Sequence, residues 1–392
     1  MSSITTLPDQ GVVFWSVGNG DSTTVVVDRS ENIVIQVDLN HAAASEDEVD
    51  ERTAVVDALT ELLEKDENDR PYLAVFALTH PDQDHCRGFD KLLEEVTIGE
   101  LWLTPRSFLD ADEDSLSEDA EAFYDEALRR VNLAKDNGAD LAAGDRVRLV
   151  GYSSVLETDT FEGFPEELLT NPGEFIEVID GNDALDDRIE VFVHSPFRAD
   201  TDESDRNSSA LGMHVTLIDG ECRWRTLLLG DLAHETIEAV FERSEDNDNT
   251  DRLEWDLLLA PHHCSKHAVI DDNGGEADAA EFLRTYAADD AYVAASCNEF
   301  RSSDSDGDDP PHLDARDVYE DIVGSDRFIA TVEHAADNDG DPIVFDTSDS
   351  VCGLAESRTA KANRWRSIGT VTGAPPIEAG EKDVRGGDRP YA

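Results

Sequence analysis

The sequence predicts an α/β fold in which two mixed β-sheets pack face to face with helices outside. Three observations carry this. Short apolar runs of strand length recur in two sets, one in each half of the chain. Amphipathic stretches of helical period lie between them. Several of the most apolar runs stop abruptly at clusters of histidine and aspartate, as strands do when they carry a site on the loops that follow.

The first set opens with Val12 to Val17, Thr23 to Val27 and Ile33 to Val37, separated by turn-forming residues and read as a meander. A helix is predicted over Glu48 to Lys65, with Val55, Leu59, Leu62 and Leu63 on one face. Tyr72 to Leu78 is a buried strand. A helix around Phe89 to Val96 and a strand ending in Leu101-Trp102-Leu103 follow. From about Ser107 to Asp187 the chain is acidic and short of strong strands. It offers a helix near Glu118 to Asp136 and a short strand, Arg146 to Val150, and reads as an insertion or lid within one domain of residues 1–354.

The second set comprises strands at Glu190 to His194, Ala210 to Ile218, Thr226 to Leu229, Trp255 to Ala260, Tyr292 to Ala295, Phe328 to Val332 and Ile343 to Phe345. Helices are predicted near Glu235 to Arg243, Ala279 to Tyr286 and Ala315 to Ile322. Residues 355–392 turn polar, locally basic and rich in Gly and Pro, the composition of a flexible C-terminal tail.

Hydrophobic residues make up 39% of the 392, enough for a core. Against 31 Lys and Arg stand 90 Asp and Glu, a formal net charge of -59. Lysine is confined to Lys65, Lys91, Lys135, Lys266, Lys361 and Lys382. Such a surface repels itself in dilute buffer. At molar salt the Debye length falls to about 3 Å and the repulsion is screened. The composition therefore points to a salt-filled, halophilic cytoplasm. The charge would ordinarily argue against nucleic acid as a partner, but screening at high salt weakens that argument. Five cysteines without a CxxC pair fit free thiols in a reducing compartment. No signal peptide precedes the first strand, and no apolar run reaches the roughly 20 residues of a membrane span.

Four polar clusters sit at strand ends. Thr79-His80-Pro81-Asp82-Gln83-Asp84-His85 packs four ligand-type side chains into six residues after a buried strand. Imidazole and carboxylate suit zinc, and carboxylate also suits manganese or magnesium. Gly230-Asp231 follows Leu227-Leu228-Leu229. Pro261-His262-His263-Cys264-Ser265-Lys266-His267 follows another apolar strand. Asn207-Ser208-Ser209 precedes Ala210 to Ile218. The run Asp304-Ser305-Asp306-Gly307-Asp308 has the look of a calcium loop but lacks the distal glutamate, with Ala315 in its place. It reads as a solvated acidic loop.

In their order these clusters resemble the metallo-β-lactamase superfamily, and more narrowly the hydrolase domain of ComEC-type DNA-uptake proteins. The residues that carry the likeness are Val17-Gly18-Asn19-Gly20-Asp21-Ser22, His80, Asp82, Asp84 and His85, Asn207-Ser208-Ser209, Asp231, and Pro261 to Ser265. It spans roughly Gly11 to Phe345. Cys264 stands where that pattern has glycine, and the membrane channel segments of the uptake proteins are missing.

The resemblance implies a metallo-β-lactamase αββα sandwich with a site for one or two zinc ions, manganese being the alternative. One ion would be held by His80 and Asp82 with Asn207 nearby. The other would be held by Asp84, His85 and one of His262 or His263, with Asp231 bridging. Asp84, Asp231 and Lys266 become the candidate catalytic residues, Lys266 or Arg87 holding a phosphate oxygen, and Asp21 orienting a ligand from behind. The function implied is a phosphodiesterase or nuclease using a metal-bound hydroxide on DNA or another phosphodiester. Hydrolysis of a lactone, thioester or amide is the alternative, since one fold hosts all of these. A third reading is a non-catalytic metal-binding component of a DNA-uptake or defence assembly.

Overall fold

A computed structural model describes residues 4–46, 52–109, 116–197, 207–304, 309–347 and 353–354. In chain order the first strands are β1 (Gly11–Phe14), β2 (Thr23–Asp28), β3 (Ile33–Val37), β4 (Leu39–Asn40), β5 (Tyr72–Ala77), β6 (Thr97–Leu103), β7 (Arg146–Val150) and β8 (Leu169–Thr170). Then come β9 (Ile189–Ser195), β10 (Gly212–Asp219), β11 (Cys222–Leu228), β12 (Trp255–Leu259), β13 (Ala287–Ala295), β14 (Phe328–Ala330), β15 (Ile343–Asp346) and β16 (Gly353–Leu354). They form two mixed sheets, one ordered β16-β15-β1-β2-β3-β5-β6-β7-β8 and the other β14-β13-β12-β11-β10-β9.

The period-2 alternation of these strands builds three apolar layers. Val12, Phe14, Val25 and Ile35 of the first sheet meet Val191, Met213, Val215 and Leu257 of the second between the sheets. Val13, Trp15, Val26, Val34 and Phe76 face outward, where helices Val55–Leu62, Phe89–Glu95 and Glu118–Asn137 cover them with Leu59, Leu92, Phe123 and Val131. Leu227, Leu258 and Val293 are covered by helices His234–Asp246, Asp278–Tyr286 and Leu313–Val323 through Phe241, Leu283 and Tyr319. The order is helix, sheet, sheet, helix.

Within 107–187 the chain both covers and extends the first sheet. Helix Glu118–Asn137 is capped by Ser117, whose side chain accepts from Ala120 N, and carries Glu118, Asp119 and Glu121 in its first turn. Its buried Arg130 pairs with Glu126 and donates to the carbonyls of Ile98, Gly99 and Arg146. β7 and β8 add parallel strands to the sheet edge.

Two details differ from expectation. The strand at Phe328 stops at Ala330, and Thr331–Asp337 is a helix that buries Thr331 and Ala335, a spacing of four that suits a helix face. Cys222, at the start of β11, is disulfide-bonded, which corrects the expectation of free thiols throughout and removes the cysteine argument for a reducing compartment. Among the described residues no helix is long and apolar enough to cross a membrane. The tail at 355–392, the start of the first predicted helix and most of the acidic run at 304–308 lie outside the described residues.

Candidate metal centre

The topology sends several strand ends to one place. β3 runs parallel to β5, and β11 runs parallel to β12. Their carboxyl ends deliver Asp38, then Thr79 and His80, then Asp231, then His262 and His263. Loops beyond the carboxyl ends of parallel strands are the usual place for a ligand site.

Hydrogen bonds lock these loops together. Asp21 N donates to Asp84 O at 3.1 Å, His262 N to Gly230 O at 3.1 Å and Leu211 N to Thr79 O at 3.0 Å. Ser296 Oγ donates to Gly20 O at 2.6 Å. Gly20 must be glycine: at φ +133 an added Cβ would lie 2.1 Å from Asn40 Nδ2 and 2.6 Å from Asp84 O. Gly230, at φ +55, lets the chain turn closely past Thr79 and Ala210.

The histidine pair is held in an unusual backbone. His262, His263 and Cys264 have φ of 50, 55 and 63, three consecutive left-handed residues. Each costs roughly 1–2 kcal/mol for a residue with a Cβ. Such strain persists only where the surroundings hold it, and it is commonest at functional sites.

The side chains converge on Asp231. His85 Nε2 lies 3.2 Å from Asp231 Oδ1, while the Nε2 atoms of His263, His262 and His80 lie 3.6, 3.7 and 3.8 Å from Oδ2. Asp84 Oδ2 is 3.2 Å from His263 Nε2, and Asp82 Oδ2 is 3.7 Å from His80 Nε2. The His80 and His85 rings are 4.1 Å apart. Two overlapping donor groups share Asp231: Asp84 and His85 with His263, and next to it His262, form one, and His80 with Asp82 the other.

The far nitrogens of these rings are turned to carboxylates. His85 Nδ1 lies 2.7 Å from Asp38 Oδ2, and His263 Nδ1 lies 3.3 Å from Asp21 Oδ1. Thr79 Oγ1 donates to Asp38 Oδ2 at 2.7 Å and lies 3.0 Å from His80 Nδ1. On His80 and His85 a proton on Nδ1 leaves Nε2 bare and aimed at the centre, the arrangement that orients metal-binding imidazoles, whereas His263 Nδ1 accepts from Gly20 N at 3.2 Å. His80 Nε2, His85 Nε2, His263 Nε2 and Asp231 Oδ1 are buried without a hydrogen-bond partner. Buried polar atoms are rarely left so, and four of them facing one another fit a cation. Asp21, His85, Asp231 and His263 also offer one atom each within 4.8 Å of one another. Asp21 Oδ1, 3.3 Å from His263 Nδ1, is likewise buried without a hydrogen-bond partner.

The electrostatics agree. Burial works against a charge on His85, but Asp231 and Asp38 outweigh it and raise the imidazole well above its ordinary pKa. Burial likewise opposes protonation of His263, yet Asp231, Asp21 and Asp84 hold it up at about 10. Burial also penalises the Asp231 charge, and the surrounding histidines overcome this to hold its carboxyl well below the usual range. His80 and His262, in contrast, are lowered by burial. The pocket demands positive charge among its buried carboxylates.

The centre opens on one side. The Asp82 and Asp84 side chains are 34% and 36% exposed and form its mouth, while Asp231, at 5%, is its floor. Arg87, next to His85, donates to Asn40 Oδ1 at 3.1 Å. Lys266 follows the histidine turn, and its N–H donates to His312 Nδ1 at 3.2 Å. Asn207 heads the turn Asn207–Ser209, whose following strand docks on Thr79. The cysteines beside these residues, Cys86 and Cys264, are free and buried. Burial pushes the Cys86 thiol up to about 12 and the Cys264 thiol well above its ordinary value, so neither is a thiolate.

Sequence reasoning missed Asp38. Its signal was present: an aspartate directly after an apolar strand, as at Asp231, but with no histidine beside it.

No protein-family model and no curated protein matches the chain. Among solved structures it is similar to the metallo-β-lactamase fold protein YhfI from Bacillus subtilis, at 10% identity and a TM-score of 0.36 over 82% of this chain and 96% of that one. It is also similar to a B3 metallo-β-lactamase with an active-site glutamic acid, at 12% and 0.36 over 73% and 89% of the two chains. The metallo-β-lactamase GOB-18 from Elizabethkingia meningoseptica matches at 11% and 0.30 over 80% and 87%. At such identities and scores the likeness assigns no residue a role.

Proposed function

We propose that this chain is a metal-dependent hydrolase of the metallo-β-lactamase fold that cleaves phosphodiesters, DNA among them. The observation that carries the reading is the convergence of three unpartnered, buried Nε2 atoms, of His80, His85 and His263, on the buried carboxylate of Asp231. Asp84 and His85, with His263 or His262, would hold one ion, and His80 and Asp82, with Asn207, a second, with Asp231 shared. A donor set of imidazoles and carboxylates without thiolate suits zinc, or manganese at the oxygen-rich position. Bound divalent cations supply Lewis acidity and a water of lowered pKa.

The chain's own groups do the rest. Asp38 fixes the tautomer of His85, and the half-exposed Asp82 and Asp84 leave the centre open to substrate. Lys266 or Arg87, both close in sequence to the histidine clusters, is the cation proposed to hold a phosphate oxygen. A halophilic, cytoplasmic setting belongs to the same reading. The charge balance supports it, and the Cys222 disulfide weighs against the cytoplasm.

The test is hydrolysis of a chromogenic phosphodiester and of single- and double-stranded DNA at molar KCl, with zinc or manganese. Turnover that disappears in D84N and D231N supports the reading. A metal-loaded protein that leaves phosphodiesters intact but opens a lactone, thioester or amide assigns the other bond. Retained metal with no turnover and a co-purifying partner assigns a scaffold.

A further inference from the structure

Gln36 is a polar side chain on the apolar outer face of β3, 0% exposed and in line with the core residue Val34. Methionine or leucine would fill that volume without the cost of burying an amide. What the amide holds is therefore informative.

Trp15 Nε1 donates to Thr24 Oγ1 at 2.8 Å. An indole N–H can only donate, so the Thr24 hydroxyl accepts there and passes its own proton on, to Gln36 Oε1 at 2.6 Å. This fixes which end of the amide faces which way, a choice otherwise ambiguous for glutamine. The amide NH2 then points toward the metal centre. It donates to Asp38 O at 2.6 Å and to Ser22 Oγ at 3.0 Å. Asp38 is the carboxylate on His85, and Ser22 follows Asp21, the carboxylate near His263. Trp15, Thr24, Ser22 and Asp38 are all buried.

We propose that Gln36 is a positioning residue of the metal centre, one side-chain amide that ties together the two segments that orient His85 and His263, through the Asp38 carboxylate on His85 Nδ1 and the Gly20 N–H on His263 Nδ1. It touches no ligand itself. It holds the carbonyl of Asp38, a residue at φ +55, and the hydroxyl of Ser22, two residues after Gly20, so both orienting segments share one support. The Trp15–Thr24 pair bonds only the other end of the amide, its Oε1, remote from solvent. This inference rests on the metal-centre reading above.

The experiment compares wild type, Q36M, Q36E and T24V in molar KCl. Zinc affinity is read by equilibrium dialysis, the visible spectrum after cobalt substitution reports the ligand field, and thermal unfolding reports the fold. Q36M keeps the volume and loses every bond. Ionised Q36E keeps the side-chain shape and loses both donated bonds. T24V breaks the same network on the side away from the centre and leaves both donated bonds in place.

The expected result is a loss of about tenfold or more in zinc affinity with a changed cobalt spectrum in both Gln36 variants, and T24V within about twofold of wild type. Gln36 variants that bind metal as wild type does overturn the proposal. So does a T24V loss equal to that of Q36M, since the effect is then general packing. So does failure of both Gln36 variants to fold when T24V folds, because the residue then serves the core. A wild-type protein that binds no divalent cation instead overturns the metal-centre reading itself.

Discussion

Replacing Asp38 by asparagine is a sensitive probe of how the centre is organised. The substitution is nearly isosteric, and asparagine tolerates the left-handed φ of 55 at this position as well as aspartate does. Oδ1 can still accept from Thr79 N, a 2.7 Å bond. The NH2 group replaces Oδ2, which now faces His85 Nδ1 at 2.7 Å and the Thr79 hydroxyl at 2.7 Å. Two donors cannot face a third. His85 must therefore turn Nδ1 into an acceptor and carry its proton on Nε2, the atom 3.2 Å from Asp231.

A protonated Nε2 cannot ligate. His80, linked to the same carboxylate through Thr79, loses its orientation as well. Loss of one such outer group typically costs 10- to 100-fold in metal affinity, about 1.4–2.7 kcal/mol. With two histidines affected, D38N belongs at the upper end. Zinc competition against a chromophoric chelator in molar KCl measures it, with thermal unfolding in the presence of chelator as the control for folding. A D38N protein within about twofold of wild-type affinity refutes the reasoning.

Other predictions follow from the same geometry. H263A should lower zinc affinity beyond the 10- to 100-fold typical of an outer group, and H262A less, because His263 is buried with three carboxylates around it while the His262 side chain is 28% exposed. The same competition assay ranks them, and an inverted ranking exchanges their roles. Thermal stability should rise steeply with KCl up to the molar range as the repulsion of a -59 chain is screened, and a melting temperature indifferent to salt contradicts the halophilic reading.

Acid should destabilise the second sheet through His194 and His214. Burial and the neighbouring His214 lower His194 to about 3, and burial lowers His214 to about 4. Their unfolded values lie near 6.5, so the unfolded chain binds more protons. Stability is full above that pH and falls as pH drops toward about 4, by roughly 1.4 kcal/mol per unit for each histidine. Urea titrations of wild type and H214Q should show the slope reduced in the variant.

The layered architecture was legible because its strands are nearly pure apolar runs with the correct period, from Val12 to Phe345. The histidine clusters were legible because imidazoles are scarce and directly follow such runs. Asp38 was not, since aspartate is the commonplace of this composition and only the third dimension sets it against His85. Gln36 was invisible for the opposite reason: one amide in an apolar strand breaks a pattern without announcing a partner. The helix Thr331–Asp337 was hidden by Ile329 and Val332, which extend a β-like run past the point where the chain turns. The part played by residues 118–170 in the first sheet was obscured by exposed acid, which outweighs the buried stripe of Phe123, Ala127 and Val131.

X-ray absorption at the zinc edge of the purified, zinc-loaded protein tests the central claim most directly. A shell made only of nitrogen and oxygen, with imidazole scattering from about two or more histidines that diminishes in H263A, is the predicted result. A protein that takes up no zinc, or a sulfur shell near about 2.3 Å marking Cys86 or Cys264 as a ligand, contradicts it.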